Sequence, residues 1–183
     1  RKNYRKIKKA VRMGIEVTEA DSKEYWDEFY KIYSDAGKER AVPTMSKEEY
    51  DSFREILVNA NLAKLFIAKF NDEIIDGSVI LLSDDEIVSF IGASKKNREN
   101  LQGYSLILWN IFRYAWFKGL EAVDFYGIDI YAKPGEKTYG ITEFKKSFGG
   151  RTQIYGRLSN SRLLRMLYDT YNKHRWIKLL YSK

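Results

Sequence analysis

The chain has 183 residues, no cysteine, and 14 Tyr, 10 Phe and 4 Trp. That length suits one domain with a substantial core, and the missing cysteine excludes disulfides, thiolate metal sites and a cysteine nucleophile. The net charge of +7 is unevenly spread: residues 1–17 hold seven Lys/Arg against one acid, 18–130 thirteen against twenty-one, and 131–183 twelve against three. Two basic ends that met in space would suit phosphates, nucleic acid or anionic lipid heads; apart, they are solvated helix faces. No apolar run approaches the ~20 residues of a membrane span, and no apolar stretch follows the cationic start as in a secretory signal.

In chain order, residues 2–13 read as a basic lead-in helix with Ile7, Ala10 and Val11 as a thin apolar stripe. A short strand over Ile15 to Val17 follows Gly14. Asp21 or Ser22 caps a helix over about 22–36, whose apolar residues Tyr25, Trp26, Phe29, Ile32 and Tyr33 keep a 3–4 spacing. A loop with Gly37, Arg40 and Pro43 comes next. Ser46 and Glu49 form a capping box ahead of a second amphipathic helix, with Tyr50, Phe53, Ile56, Leu57 and Ala60 on one face.

The period then changes. Leu65 to Phe70, Ile74 to Leu82 and Ile87 to Ser94 read as three strands of an antiparallel meander, turning at Asn71-Asp72 and Ser83-Asp84-Asp85. Lys95 to Gln102 is polar and loop-like. Tyr104 to Phe117 is apolar almost all round and predicts a central buried helix, ended by Gly119. Ala122 to Tyr126 reads as a buried strand, and Gly127 to Gly140 as a loop. Thr142 is expected to cap a short helix that Gly149-Gly150 stops. A strand over Thr152 to Leu158 and a basic helix from Ser161 to about Leu180 complete the order. This is an α/β chain: a mostly antiparallel central sheet with helices on both faces, similar to the GNAT acyltransferase fold.

Several chemistries are missing. The single histidine, His174, pairs with no cysteine, and no serine sits in a Gly-x-Ser-x-Gly elbow, so a triad is not expected. No Walker sequence, dinucleotide fingerprint or metal-ligand spacing is present; neither a metal nor a cofactor is expected. GNAT enzymes hold the pyrophosphate of acyl-coenzyme A with a loop similar to Arg/Gln-x-x-Gly-x-Gly/Ala at a helix N-terminus. Here Arg98-Glu99-Asn100-Leu101-Gln102-Gly103-Tyr104-Ser105 has one glycine, the wrong spacing and an acid close to the anion.

The densest stretch is Val123 to Gly150. On a helix Phe144 and Phe148 share a face at i, i+4 and pack inward. Lys145, one step round, reaches a cleft beside that wall and could bind an anion or steady an oxyanion; otherwise it is a solvated lysine on an amphipathic turn.

Phe90-Ile91-Gly92-Ala93-Ser94, the apolar helix with Trp109, Asp124-Phe125-Tyr126-Gly127 and Phe144-Lys145-x-x-Phe148-Gly149-Gly150 resemble the carboxy-terminal GNAT-like domain of the FemABX family, the peptidoglycan bridge-forming aminoacyltransferases. The opening, Arg1-Lys2-Asn3-Tyr4-Arg5-Lys6-Ile7-x-Lys9-Ala10 with Gly14-Ile15-Glu16-Val17, resembles the segment leading into that domain. The resemblance implies that residues 1–183 form one GNAT-like domain, the second half of a longer chain whose amino-terminal domain is missing here. It implies transfer of an amino acid from aminoacyl-tRNA to an amine of an anionic peptidoglycan precursor, lipid-linked or nucleotide-linked. Such work belongs in the cytoplasm, with peripheral contact at the inner face of the membrane. The family's phenylalanine–lysine pair maps onto Phe144 and Lys145 as the catalytic pair. Lys145, Lys146 and Arg151 are the expected nucleic-acid contacts. Arg40, Phe90, Tyr126 and Tyr139 are the expected substrate contacts. Two other readings remain: a GNAT N-acyltransferase using acyl-coenzyme A or acyl-carrier protein, and a basic module that binds RNA or a membrane surface without catalysis.

Overall fold

The apolar spacing changes from helical to nearly continuous around residue 63, and there the central strands begin. The structure is a computed structural model that describes residues 2–153 and 176–182. It divides into two compact units, residues 1–123 and 124–182.

The first unit holds α1 (Lys2–Arg12), β1 (Glu16–Ala20), α2 (Lys23–Arg40), α3 (Lys47–Asn59), β2 (Ala63–Phe70), β3 (Glu73–Leu82), β4 (Glu86–Ser94) and α4 (Gly103–Lys118). Its strands lie in the order β1-β2-β3-β4, and every neighbouring pair is antiparallel. Side-chain alternation along the strands gives each face its own cover. Leu65 and Ile67 of β2, Ile74 and Val79 of β3, and Ile91 and Ala93 of β4 pack with Trp26, Phe29, Ile32 and Tyr50 of α2 and α3. Phe66 points the other way and meets Tyr114 of α4 edge-on, with ring centroids 5.8 Å apart. Gly77 is fixed by this packing: a Cβ there would come within 2.3 Å of the Phe29 ring. The polar ends of the core aromatics are used. Trp26 Nε1 donates to the Ala20 carbonyl at 3.2 Å, and the Tyr50 hydroxyl to the Trp26 carbonyl at 3.4 Å.

The predicted capping box forms. The Glu49 amide donates to Ser46 Oγ at 3.2 Å, and the Ser46 amide to Glu49 Oε2 at 2.8 Å. α2 runs four residues past its expected end. Gly37 stays helical because Thr44 packs against it, so closely that a Cβ would meet Thr44 Cγ2 at 2.2 Å, and the turn comes only at Ala41, in the left-handed region. Arg40 is therefore in the last turn of α2, not in a loop. Two apolar readings are corrected. Ile56 is exposed on α3, while Leu57 and Val58 pack on the core. α4 is buried on one face only: Leu106, Ile107, Leu108, Ile111 and Ala115 face inward, whereas Trp109, Trp116 and Phe117 are exposed. The stretch expected to be loop before α4 contains a single 3-10 turn, Glu99–Leu101.

The second unit contains β5 (Ala122–Asp129, which enters it at Asp124), α5 (Lys137–Lys146), β6 (Arg151–Gln153) and β7 (Trp176–Ser182). β7 lies between β5 and β6, and pairs antiparallel with β6 in the register Arg151↔Leu180. That pairing corrects the expected last helix at its end, since residues 176–180 are strand. The sequence there, Trp-Ile-Lys-Leu-Leu-Tyr-Ser, has the aromatic and branched residues that strands favour. The rest of that predicted helix, His174, and residues 154–158 of the predicted strand lie outside the described residues. α5 begins five residues before the expected Thr142 cap. A turn at Lys133–Glu136, in which the Lys133 amide donates to Glu136 Oε2 at 2.7 Å, feeds the chain into the helix early.

Candidate active site

β5 and α5 are joined by polar side chains. Thr142, the residue expected to cap α5, sits inside it and is buried. Its hydroxyl donates to the Asp129 carbonyl and accepts from the Asp129 amide, both at 3.2 Å. The Asp129 carboxylate accepts the Tyr131 amide at 3.0 Å and the Thr138 hydroxyl at 3.0 Å. One buried aspartate thus holds the start of the loop after β5 and the first turn of α5.

That clamp sets the position of Lys145, one helical turn beyond Thr142. Its Nζ donates to the Gly127 carbonyl at 2.8 Å. Burial pushes its pKa down to about 8, because removing an ammonium from water disfavours the charged form. Beside it, Phe144 meets Phe148 edge-on at 5.3 Å, and Phe148 meets Phe125 edge-on at 5.4 Å. The packing expected from the i, i+4 spacing is present, and it sets a row of three aromatic rings beside the lysine's helix position.

Next to Gly127 the backbone is strained. Tyr126 has φ of +59°, a region that costs a residue with a Cβ about 1–2 kcal/mol. The Asp124 carboxylate holds it there, accepting the Tyr126 amide at 2.8 Å in an Asx turn. Asp124 is wholly buried, and Tyr126 is 52% exposed. Strain of this kind persists where surrounding structure over-determines it, and it gathers at functional sites. An ammonium held on a main-chain carbonyl, with an aromatic wall and a displayed tyrosine, can bind an anion or steady the oxygen of a tetrahedral intermediate.

The expected residues fall in both units. Arg40 on α2 and Phe90 on β4 belong to the first, where Phe90 stacks on Phe53 at 5.6 Å. Tyr126, Tyr139, Phe144, Lys145, Lys146 and Arg151 belong to the second. Tyr139 is in the first turn of α5 rather than in the expected loop, and Arg151 opens β6. Lys146 is on the outer side of α5, 4.0 Å from Glu143. From the sequence no site role falls to Asp124, named only within the Asp-Phe-Tyr-Gly motif, to Thr142, read as a cap, or to Asp129 and Tyr131. A signal was available: Asp-Phe-Tyr at 124–126 and Asp-Ile-Tyr at 129–131 repeat one pattern five residues apart.

The start of α4, the position considered for a coenzyme A pyrophosphate, is already occupied. Asp76 of β3 is buried there, its carboxylate bonded to the Ser94 hydroxyl and the Tyr104 amide. Burial pushes its pKa up to about 6, and Glu99 adds negative charge nearby. Among the described residues no group of three His, Cys, Asp or Glu could hold a metal ion, and no helix is long and apolar enough to cross a membrane.

Solved structures with this fold have low sequence identity to the chain. FemX superposes with a TM-score of 0.73 at 16% identity, covering 81% of this chain and 53% of FemX, so the chain spans about half of FemX's length. An acetyltransferase from Streptococcus agalactiae 2603 gives 0.65 at 12% identity, covering 93% of this chain and 99% of its own. The PaiA N-acetyltransferase of Thermoplasma acidophilum, solved in complex with coenzyme A, gives 0.61 at 12%, covering 92% and 99%. The fold is that of the GNAT acetyltransferases. No curated protein matches the chain in sequence. A sequence model of the FemAB family matches residues 47–172, more than half of the chain and all of the β5–α5 site, and the chain belongs to the FemAB family.

Proposed function

We propose that this chain is an acyltransferase domain that moves an aminoacyl group from aminoacyl-tRNA to an amine of a peptidoglycan precursor. The observation that carries the reading is Lys145: a half-buried ammonium fixed on the Gly127 carbonyl, within the Phe-Lys element that the resemblance ties to transfer. An aminoacyl ester is already activated. A neutral acceptor amine attacks its carbonyl carbon, the new C–N bond forms, the ester C–O bond breaks, and the proton lost by nitrogen ends on the departing 3′-oxygen of the tRNA. No protein nucleophile is required. The protein positions two anionic substrates and offers a cation to the developing oxyanion. On this reading the domain works in the cytoplasm and meets its precursor at the inner face of the membrane.

The test is transfer of a radiolabelled amino acid from aminoacyl-tRNA to the precursor, made with the chain in its full-length context. Lys145→Ala should lower the rate at least 100-fold, about 2.7 kcal/mol of transition-state stabilisation, with the fold intact. Retention of wild-type transfer in that variant would sink the reading.

One observation favours a second reading, an acyltransferase that uses acyl-coenzyme A: the fold is shared with the PaiA enzyme solved with coenzyme A. Asp76 and Glu99 at the start of α4 speak against it, because a pyrophosphate there meets negative charge at the amides it needs. Calorimetric titration with coenzyme A separates the two. Tight, saturable binding would favour the second reading.

A further inference from the structure

We propose that Tyr126 and Tyr131 form a stacking platform for the unpaired 3′ end of the donor RNA, an inference that rests on the proposed function and names how that substrate is held. The two tyrosines are displayed by the same device. Each follows a buried aspartate by two residues, and each donates its amide to that aspartate's carboxylate: Tyr126 to Asp124 at 2.8 Å, Tyr131 to Asp129 at 3.0 Å. Asp124 and Asp129 are almost completely buried, whereas Tyr126 is 52% and Tyr131 56% exposed. Burying a carboxylate is costly, and here each buried aspartate accepts the amide that fixes the backbone presenting an aromatic ring to solvent.

Core packing does not explain the arrangement. A tyrosine kept for the core would be turned inward, as Tyr50 is. At Tyr126 the backbone even accepts a left-handed φ while its ring stays half exposed. Five residues of chain extend at most roughly 18 Å, so the two Cα atoms lie within the span of a few unpaired nucleotides. An exposed ring that costs little entropy to order is what a base needs for stacking, and each stacked base contributes about 1–3 kcal/mol.

Charge points to nucleic acid as the occupant. Among the described residues of 124–182 there are six Lys/Arg against four Asp/Glu. Two of those four acids are Asp124 and Asp129, which are buried. Lys133 follows Tyr131 by two residues, and Lys145 is bonded to the carbonyl of the residue after Tyr126. Aromatic rings interleaved with cations are the makings of a single-strand groove, where bases stack and the backbone meets positive charge.

The experiment compares two labelled RNA hairpins by fluorescence anisotropy at fixed salt: one ending in a single-stranded ACCA 3′ overhang, the other blunt. The wild-type protein is expected to bind the overhang RNA more tightly. Tyr126→Ala and Tyr131→Ala should each weaken overhang binding about 10-fold and leave blunt binding unchanged. Tyr126→Phe and Tyr131→Phe should bind as wild type, since the ring and not the hydroxyl stacks. Asp124→Ala should weaken overhang binding in the same way, because it removes the oxygen that accepts the Tyr126 amide. Equal binding of the two RNAs by the wild type, or unchanged overhang binding in both alanine variants, overturns the platform. So does a phenylalanine variant as weak as its alanine counterpart. In those cases Lys145→Ala still judges the transfer reading separately. Failure of the wild type to bind either RNA removes both.

Discussion

In the first unit the core under α2 and α3 is apolar, and its buried polar groups, chiefly Asp76 and the Ser78–Ser89 hydroxyl pair, lie outside that cluster. Asp27 sits between Lys23 and Lys47 at the surface, each 2.8 Å away, while Trp26, Phe29, Tyr50 and the aliphatic residues of β2 to β4 fill the space between sheet and helices. In the second unit the polar groups are inside. Asp124, Asp129 and Thr142 are buried, and Lys145 reaches inward to a main-chain carbonyl. Apolar packing is tolerant of shape and gives stability. Polar clamps are directional, and they hold single atoms in place at the cost of desolvation. The difference teaches where to look for chemistry: the directed bonds of Asp124, Asp129 and Thr142 hold the stretch that presents a cation and two tyrosines.

The contrast can be broken by substitution. Phe29→Ala should have the largest effect on stability, a loss of about 3–5 kcal/mol in denaturant unfolding, because it opens a cavity between α2 and the Gly77 backbone. A much smaller loss would mean that the first unit is not held by its core.

Lys145→Met tests the second unit, and here pH is the probe. The folded pKa of Lys145 is lowered to about 8 from 10.5, so the unfolded chain binds more protons between those values. Stability therefore rises as pH goes from about 8 to 10.5. Below about 8 the charged lysine carries its full burial cost, about 3 kcal/mol for a shift of this size. Unfolding measured at pH 7.5 and at pH 10.5 should show a gain that belongs to the wild type and is absent from Lys145→Met. Identical pH profiles would place the lysine in water and remove the contrast between the units.

The smallest effect is expected at Tyr126. Tyr126→Gly should be more stable than Tyr126→Ala by about 1 kcal/mol, since glycine adopts the left-handed φ without a Cβ penalty. The reverse order would show that no strain is stored there.

Much of the first unit was legible along the chain. The 3–4 spacing of Trp26, Phe29 and Ile32, the Ser46–Glu49 box and the continuous apolar strands are local patterns, and local backbone geometry produces them. The misreadings share one cause. Gly37 looked like a helix end and Thr142 like a helix start because each has those local habits; Thr44 packing on one and Asp129 bonding to the other override them. α4 looked buried all round because its composition is apolar, yet a helix lying on a sheet covers only one face. Residues 176–180 looked helical until their pairing with β6 made them strand.

For the site, the sequence by itself determined that Phe144 and Phe148 share a helix face, that Lys145 lies beside them, and that no thiolate is present. Those conclusions need only residue identity and period. Tertiary structure alone decided which lysine of the pair is turned inward, that Gly127 supplies its acceptor, and that Asp124 and Asp129 hold the two tyrosines. A hydrogen bond across eighteen residues of chain, as between Lys145 and Gly127, leaves no period in the sequence, because it forms only after β5 and α5 have met.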